Sequence, residues 1–300
     1  MRALECKRWR DFRRLRGQVA AIALVVGAGV AIFIMSMSTF SSLTRTRETY
    51  YRDYLFADLF LHLKRAPLSL LEQLRAIPGI ERLRPRVVAS AGLQVQGFAE
   101  PISGRLIGLP SPGADVLHKL YLRRGRPAET DRDDEAVVCE AFARAHGLKL
   151  GDLIGATVNG RYRSLRVVGI ALSPEFIYQL DPGSLFPDYR RFGILWLGHQ
   201  ALAGAFDMEG AFNDLLVGLA PEARPAEVMA RLDRLFLPYG GLGAYGREEQ
   251  LSNRYLMEEM RQLKQMATIY PLVFLAVAAF LLQVAMARLI AAEREEIGIL

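Results

Sequence analysis

Hydrophobic and polar positions divide the chain into two uniformly apolar runs and a long segment between them that mixes strand and helix patterns. From Val19 to Met37 there is no charged residue, and Ser36 is the only hydroxyl. From Ala267 to Ala287 there is again no charge, with Thr268, Tyr270 and Gln283 as the clearly polar side chains. Each run is about 20 residues long, enough for a helix to cross a hydrocarbon core of roughly 30 Å. Buried helices of a soluble core are the competing reading, but they are usually shorter and carry a polar stripe.

The pattern changes gradually beside each run. Residues 39–54 contain no Pro or Gly and are rich in Arg, Glu and Tyr, so the first helix is expected to leave the bilayer as a stalk. Residues 248–265 mirror this as a polar helix entering the second run. Along it Leu256, Met260, Leu263, Ala267, Tyr270 and Phe274 recur at 4-3-4-3-4 spacing, the seam of a helix packed along another. Pro271 lies at the entrance of the second span, where a proline can kink a helix.

Between the stalks the period switches repeatedly. Residues 57–64 read as a strand, Pro67–Arg75 as a helix opened by its proline, and residues 86–96 as a strand after the turn at Ile77–Ile80. Phe192–Leu197 and Ala211–Leu219 read as strands, and Pro225–Leu235 as a helix with Val228, Leu232 and Leu235 on one face. Strand–helix–strand units at both ends suggest one α/β lobe split by an insertion. The insertion is rich in turns and strands, at Gly104–Leu109, Asp152–Val158 and Leu165–Ile170, with a short helix at Glu140–His146.

Charge then fixes an expected orientation. The net charge is +6, and nearly all of it lies in residues 1–16. There Arg2, Lys7, Arg8, Arg10, Arg13, Arg14 and Arg16 face only Glu5 and Asp11. Basic residues abutting a span place that end in the cytoplasm and suit anionic headgroups; nucleic acid is a poor partner for them. The apolar run exceeds the h-region of a signal peptide, and Ser36-Met-Ser38 is the nearest small-x-small triplet, so an uncleaved anchor is expected. Cys6 and Cys139 would then lie on opposite sides of the membrane and cannot pair.

Motifs for catalysis are missing from the sequence. Gly241-Leu-Gly-Ala-Tyr-Gly246 matches G-x-G-x-x-G, but no strand precedes it and a polar stalk follows, so a joint is the better reading than a dinucleotide loop. There is no P-loop, H-E-x-x-H, C-x-x-C or G-x-S-x-G motif. His62, His118, His146 and His199 are scattered, as surface or packing histidines usually are. Asp131, Asp133, Asp134 and Glu135 read as a solvated turn, and Arg123–Arg126 as a turn before a strand. No catalytic residue, cofactor or metal is expected.

The order of several short segments resembles one family. Leu122-Arg-Arg-Gly-Arg-Pro127 is similar to its x-x-G-R-x-P turn. Ala136-Val-Val-Cys139 followed by Phe142–Asp152 is similar to its V-x-L-x-x-x-x-A-x-x-x-x-L-x-x-G-D segment. Leu165–Phe176 is similar to its strand ending in V-V-G-I, and Ser173-Pro-Glu-Phe176 to permeases with two modules in one chain. With Glu293-Arg-Glu-Glu-Ile-Gly-Ile-Leu300 after the second span, the chain resembles the FtsX/MacB-type permeases of ABC transporters.

That resemblance implies an α+β membrane protein: two transmembrane helices extended as stalks, bracketing an extracytoplasmic domain with a split ferredoxin-like lobe and an inserted β-rich lobe. The expected division is a basic cytoplasmic N-terminus at 1–16, spans at 17–40 and 267–288, and stalks at 41–56 and 247–266. The α/β lobe takes 57–97 and 191–246, the inserted lobe 98–190, and a coupling segment begins at 289–300. It also implies a cytoplasmic ATPase subunit docking on Glu293, Arg294, Glu295, Glu296, Ile297 and Gly298, with Leu256, Met260, Leu263 and Ala267 packing the stalk. A second module in the same chain or a homodimer partner is implied as well. The motif stops inside its usual length, so the working protein is expected to continue past Leu300. A two-span receptor with an outer ligand-binding domain shares this topology, and a membrane-anchored enzyme would need a cluster of catalytic groups.

Overall fold

The computed structural model describes residues 16–110, 116–181, 183–184 and 186–297. It divides into two compact units, one from residues up to Arg47 and from Glu258 onward, the other, the outer unit, from Glu48 to Met257.

The first unit holds most of two long helices, α1 (Arg16–Asp53) and, near the end of the chain, α6 (Leu251–Ile297). Both are long and apolar enough to cross a membrane. Along α1 the less exposed positions include Ile22, Val25, Gly29, Ile32, Ser36, Phe40 and Thr44, one stripe at helical spacing. Gly29 lies against α6, where an added Cβ would come within 3.1 Å of the Phe274 Cβ. The Lys264 ammonium sits 5.9 Å from the centre of the Phe40 ring, within cation–π range. On α6 Met260, Ala267, Pro271 and Ala278 are buried. Of the expected seam positions beyond Ala267, Tyr270 is 49% exposed, while Phe274, 38% exposed, keeps its Cβ against Gly29. The buried positions Met260, Ala267, Pro271 and Ala278 follow a 7-4-7 spacing, so the contact takes in the Pro271 and Ala278 row as well. The helix runs on through Pro271.

The second unit contains two sheets among its described residues. The four-stranded sheet takes β1 (Leu59–Pro67), β2 (Ile80–Arg86), β10 (Ala211–Leu219) and β11 (Ala244–Gly246), in the order β11-β1-β10-β2. All its pairings are antiparallel. A 3₁₀ turn and α2 (Leu71–Arg75) join β1 to β2, and α5 (Pro225–Phe236) joins β10 to β11. This is a β-α-β-β-α-β lobe cut in half.

Alternation along its strands gives the two faces different chemistry. Leu59, Leu61, Leu63, Leu83, Leu215 and Val217 pack with Leu74, Val228, Leu232 and Phe236 of the helices. The intervening residues of the same strands are Phe60, His62, Arg84, Arg86, Asp214 and Leu216. The face away from the helices is therefore both aromatic and charged.

The other sheet takes β3 (Val88–Val95), β4 (Phe98–Gly108), β5 (Tyr121–Gly125), β6 (Glu135–Cys139), β7 (Leu153–Val158), β8 (Arg161–Leu172) and β9 (Phe192–Leu197). Its order is β5-β8-β6-β9-β4-β3-β7, and β7 also pairs with β8, so the sheet closes on itself. The twelve-residue β8 makes closure possible, pairing with β7 along its first half and β5 along its second. Two short helices, α3 (Glu140–His146) and α4 (His199–Ala205), pack Phe142, Leu202 and Ala203 into its main core.

The lobe boundary differs from the expected one, which gives residues 88–97 and 191–197 to the α/β lobe. Instead β3 pairs with β4 and β7, and β9 with β4 and β6, all in the closed sheet. The reason is register: β2 and β3 are adjacent in sequence, parted by Val87, yet bond to different sheets. The expected stalks also end sooner, with α1 stopping at Asp53 and α6 starting at Leu251.

One glycine shows how tightly the closed sheet meets its loops. A Cβ on Gly198 would lie 2.2 Å from the Glu129 carbonyl oxygen and 2.5 Å from that of Thr130. Backbone cannot swing aside as a side chain can. Gly198→Ala is expected to cost about 1–3 kcal/mol, read as a lower thermal midpoint of the outer unit.

Candidate functional site

The charged face of the four-stranded sheet is where the structure gathers its buried titratable groups. Arg86 on β2 is 2% exposed, and Asp214 on the adjacent β10 is equally buried. They are directly paired strand neighbours, so the Arg86 Nε–H donates to an Asp214 oxygen. The other end of the guanidinium donates two bonds to Glu175, at 2.5 and 2.6 Å. Such two-pronged pairing is the strongest form of an ion pair.

Glu175 belongs to neither strand. It sits in the 3₁₀ turn Pro174–Phe176 directly after β8, with Ser173 capping the turn through a bond from the Glu175 N–H. The Ser-Pro-Glu sequence therefore projects a carboxylate from the closed sheet on to the arginine of the split lobe. Two histidines complete the cluster. His118 Nδ1 lies 2.9 Å from Glu175, and His62 bridges Asp214 at 2.5 Å and the Tyr245 hydroxyl at 2.8 Å.

The electrostatics follow from burial and pairing. Burial works against ionising Glu175 and Asp214, yet Arg86 outweighs it and holds both carboxyls below their usual range. For Arg86 burial is likewise overcome, and its acidity falls further still. For His118 burial wins and is reinforced by Arg86 and Arg84, lowering its pKa to about 4 despite Glu175. His118 is thus neutral, with Nδ1–H donating to Glu175.

The shifts of Glu175, Asp214 and His118 are all downward. Groups whose folded pKa is depressed add stability above their unfolded value and lose it as pH falls towards the folded one. For His118 that window runs from 6.5 down to about 4. Below it the two carboxylates begin to protonate. The outer unit is expected to lose about 3 kcal/mol across the His118 window. His118→Gln should flatten that part of a stability-versus-pH curve; an unchanged slope would contradict the assignment.

The roots of both long helices reach the same cluster. Gln250, just before α6, donates from Nε2 to the Glu175 carbonyl oxygen at 2.9 Å. Ser252 on α6 accepts from the Tyr178 N–H, and Tyr178 packs on Tyr255. The Tyr51 hydroxyl of α1 bonds Asn253 of α6 at 2.9 Å, and Asn253 in turn bonds the Arg247 carbonyl. Arg247 closes the chain by donating to the Phe56 and Ala57 carbonyls below α1.

The site residues expected from sequence fall elsewhere. Arg8, Arg10, Arg13, Arg14 and Gly298 lie outside the described residues, and Arg16 opens α1 exposed. Glu293, Arg294, Glu295, Glu296 and Ile297 form the last helical residues of α6. Met260 and Ala267 are buried, while Leu256 and Leu263 are half-buried. The buried cluster was missed, and two of the histidines assigned to surface or packing belong to it. Its one legible signal was a lone Asp214 amid the apolar run Ala211–Leu219. The G-x-G-x-x-G match supplies the edge strand β11, whose Tyr245 bonds His62.

A family model described as the MacB-like periplasmic core domain matches residues 19–235, from within α1 through most of α5. The chain belongs to that family. The MacB-like periplasmic core domain is the extracytoplasmic part of FtsX/MacB-type ABC transporter permeases, which work with a cytoplasmic ABC ATPase. Two solved structures are similar. The periplasmic region of MacB from Actinobacillus actinomycetemcomitans is 12% identical at a TM-score of 0.41, covering 70% of this chain and 95% of its own. The extracellular domain of the noncanonic ABC-type transporter YknZ from Gram-positive bacteria is 14% identical at 0.40, covering 62% and 97%. No curated protein sequence matches the chain. In this MacB-like domain the buried cluster ties the split lobe, the closed sheet and the roots of both apolar helices together.

Proposed function

We propose that the chain is a permease module that passes movement from a cytoplasmic ATPase to an extracytoplasmic domain through α1 and α6. In this reading the basic N-terminus lies in the cytoplasm and the protein is a multi-pass inner-membrane component. The stalk seam at Leu256, Met260, Leu263 and Ala267 keeps the helices moving as a pair. ATP is hydrolysed by the separate subunit, and the work drives export or extraction of a lipid, lipoprotein or other amphiphile. The homodimer partner or second module expected from the sequence would supply the other half of the machine.

The observation that carries this reading is the joint at Glu175. One residue receives Gln250 at the root of α6 on its backbone and Arg86 of the split lobe on its side chain. A displacement of the helix root therefore acts on both lobes at once. A two-span receptor could use the same joint, but the family membership favours the permease.

The docking end is testable. The charges Glu293–Glu296 suit a polar, reversible contact and Ile297 an apolar anchor. When the full chain is co-expressed with a cytoplasmic ABC ATPase, the ATPase should co-purify. Replacing Glu295, Glu296 and Ile297 together by alanine should cut its recovery by about tenfold or more. Unchanged recovery would remove this segment from coupling.

A further inference from the structure

Beside the buried cluster the outer unit has a recess of about 450 Å³, within the size range of ligand pockets. Its walls are apolar, from Leu109, Val116, Leu120, Leu122 and Ala128 among others. The charged or titratable residues among its described lining are Tyr54, Arg84, His118 and Lys119, with no Asp or Glu. An apolar recess with charge of one sign at its wall is an unusual pairing.

Arg84 is the informative member. It is 3% exposed, and among the described residues its terminal nitrogens donate only to carbonyl oxygens, those of Leu117, His118 and Gly108. Its Nε has no hydrogen-bond partner among the described residues, and neither has His118 Nε2. Both nearby carboxylates, Asp214 and Glu175, bond Arg86 and a histidine instead. Burial first, and Arg86 second, lower the Arg84 pKa to about 10. A buried cation held by neutral dipoles gains from an anion brought close. Lys119, exposed on the same lining, adds a second positive charge.

We infer that this recess binds an amphiphile with an acidic headgroup, its hydrocarbon against the apolar walls and its anionic oxygens towards Arg84 and Lys119. The site stands whether or not the chain couples to an ATPase. Carboxylate and phosphate headgroups share this chemistry, and the apolar walls separate either from free phosphate.

The test uses the full chain in nanodiscs of zwitterionic lipid, titrated with octanoate, octyl phosphate, octanol and inorganic phosphate, with empty discs subtracted. Saturable binding of at least one of the two anionic amphiphiles is expected, about tenfold or more tighter than octanol. It should also exceed inorganic phosphate by about tenfold or more, because each buried methylene adds affinity. Leu122→Trp, which fills the recess, should abolish binding. Lys119→Glu changes only an exposed side chain and should weaken it several-fold without lowering the thermal midpoint, so it carries the test if Leu122→Trp misfolds. Octanol binding as tightly as the anions, inorganic phosphate matching octyl phosphate, no saturable binding above empty discs, or a silent Lys119→Glu would each overturn the proposal.

Discussion

Arg86→Ala is expected to lower the stability of the outer unit by about 3–5 kcal/mol. The size comes from what the change leaves behind. Glu175 and Asp214 are both almost fully buried, and both stay ionised because Arg86 is there. Without it each carboxylate must remain charged in a poor solvent, take up a proton, or pull water inwards. For a domain of this size the loss corresponds to a drop of roughly 10 °C in thermal midpoint. Neutralising the acids as well, by Glu175→Gln and Asp214→Asn on top of Arg86→Ala, should return part of the loss. Groups sharing one network are non-additive. Additive losses across the three substitutions would show that they do not act as a unit.

Phe142→Ala should cost a similar amount for a different reason. Its side chain is fully buried in the core of the closed sheet. The ring lies so close to the backbone that a Cβ on Gly193 would come within 3.0 Å of it. Removing it empties space that neighbouring strands, pinned by their ladders, cannot fill, at a cost of about 3–5 kcal/mol. The two variants separate by pH. Phe142→Ala should shift the whole stability curve down and keep its shape. Arg86→Ala should also change its acid limb, because the carboxylates lose the partner that holds their pKa down. Equal changes in shape would mean the buried cluster does not govern the acid response.

How far the sequence could be read depended on the range of the interaction. Periodicity located β9, β10 and α3 at their observed ends, and α5 nearly so, because each buries one continuous face set by its own residues. Apolar runs of membrane length gave the two helices for the same reason. The strand β2 was missed: Ile80-Glu-Arg-Leu-Arg-Pro-Arg86 looks solvated unless the partners of its arginines are known. Those of Arg86 are Glu175 and Asp214, 89 and 128 residues away in sequence, and those of Arg84 are distant backbone carbonyls. Local pattern carries no information about such pairings. The lobe boundary was misplaced by the same limit, since β3 chooses its sheet by pairing with β4 and β7. The Ser-Pro-Glu-Phe segment drew notice only through a family resemblance; its role as a bridge needed the fold.

The proposed coupling requires that movement at the root of α6 reach the closed sheet through Glu175. Spin labels at exposed Arg254 on α6 and exposed Arg161 on β8, each changed to cysteine, report that path in the full chain reconstituted with its ATPase. ATP binding should shift the distance distribution between them, and the shift should vanish in Glu175→Gln with its thermal fold verified. No shift in the unaltered chain, or a shift of the same size in Glu175→Gln, would contradict it.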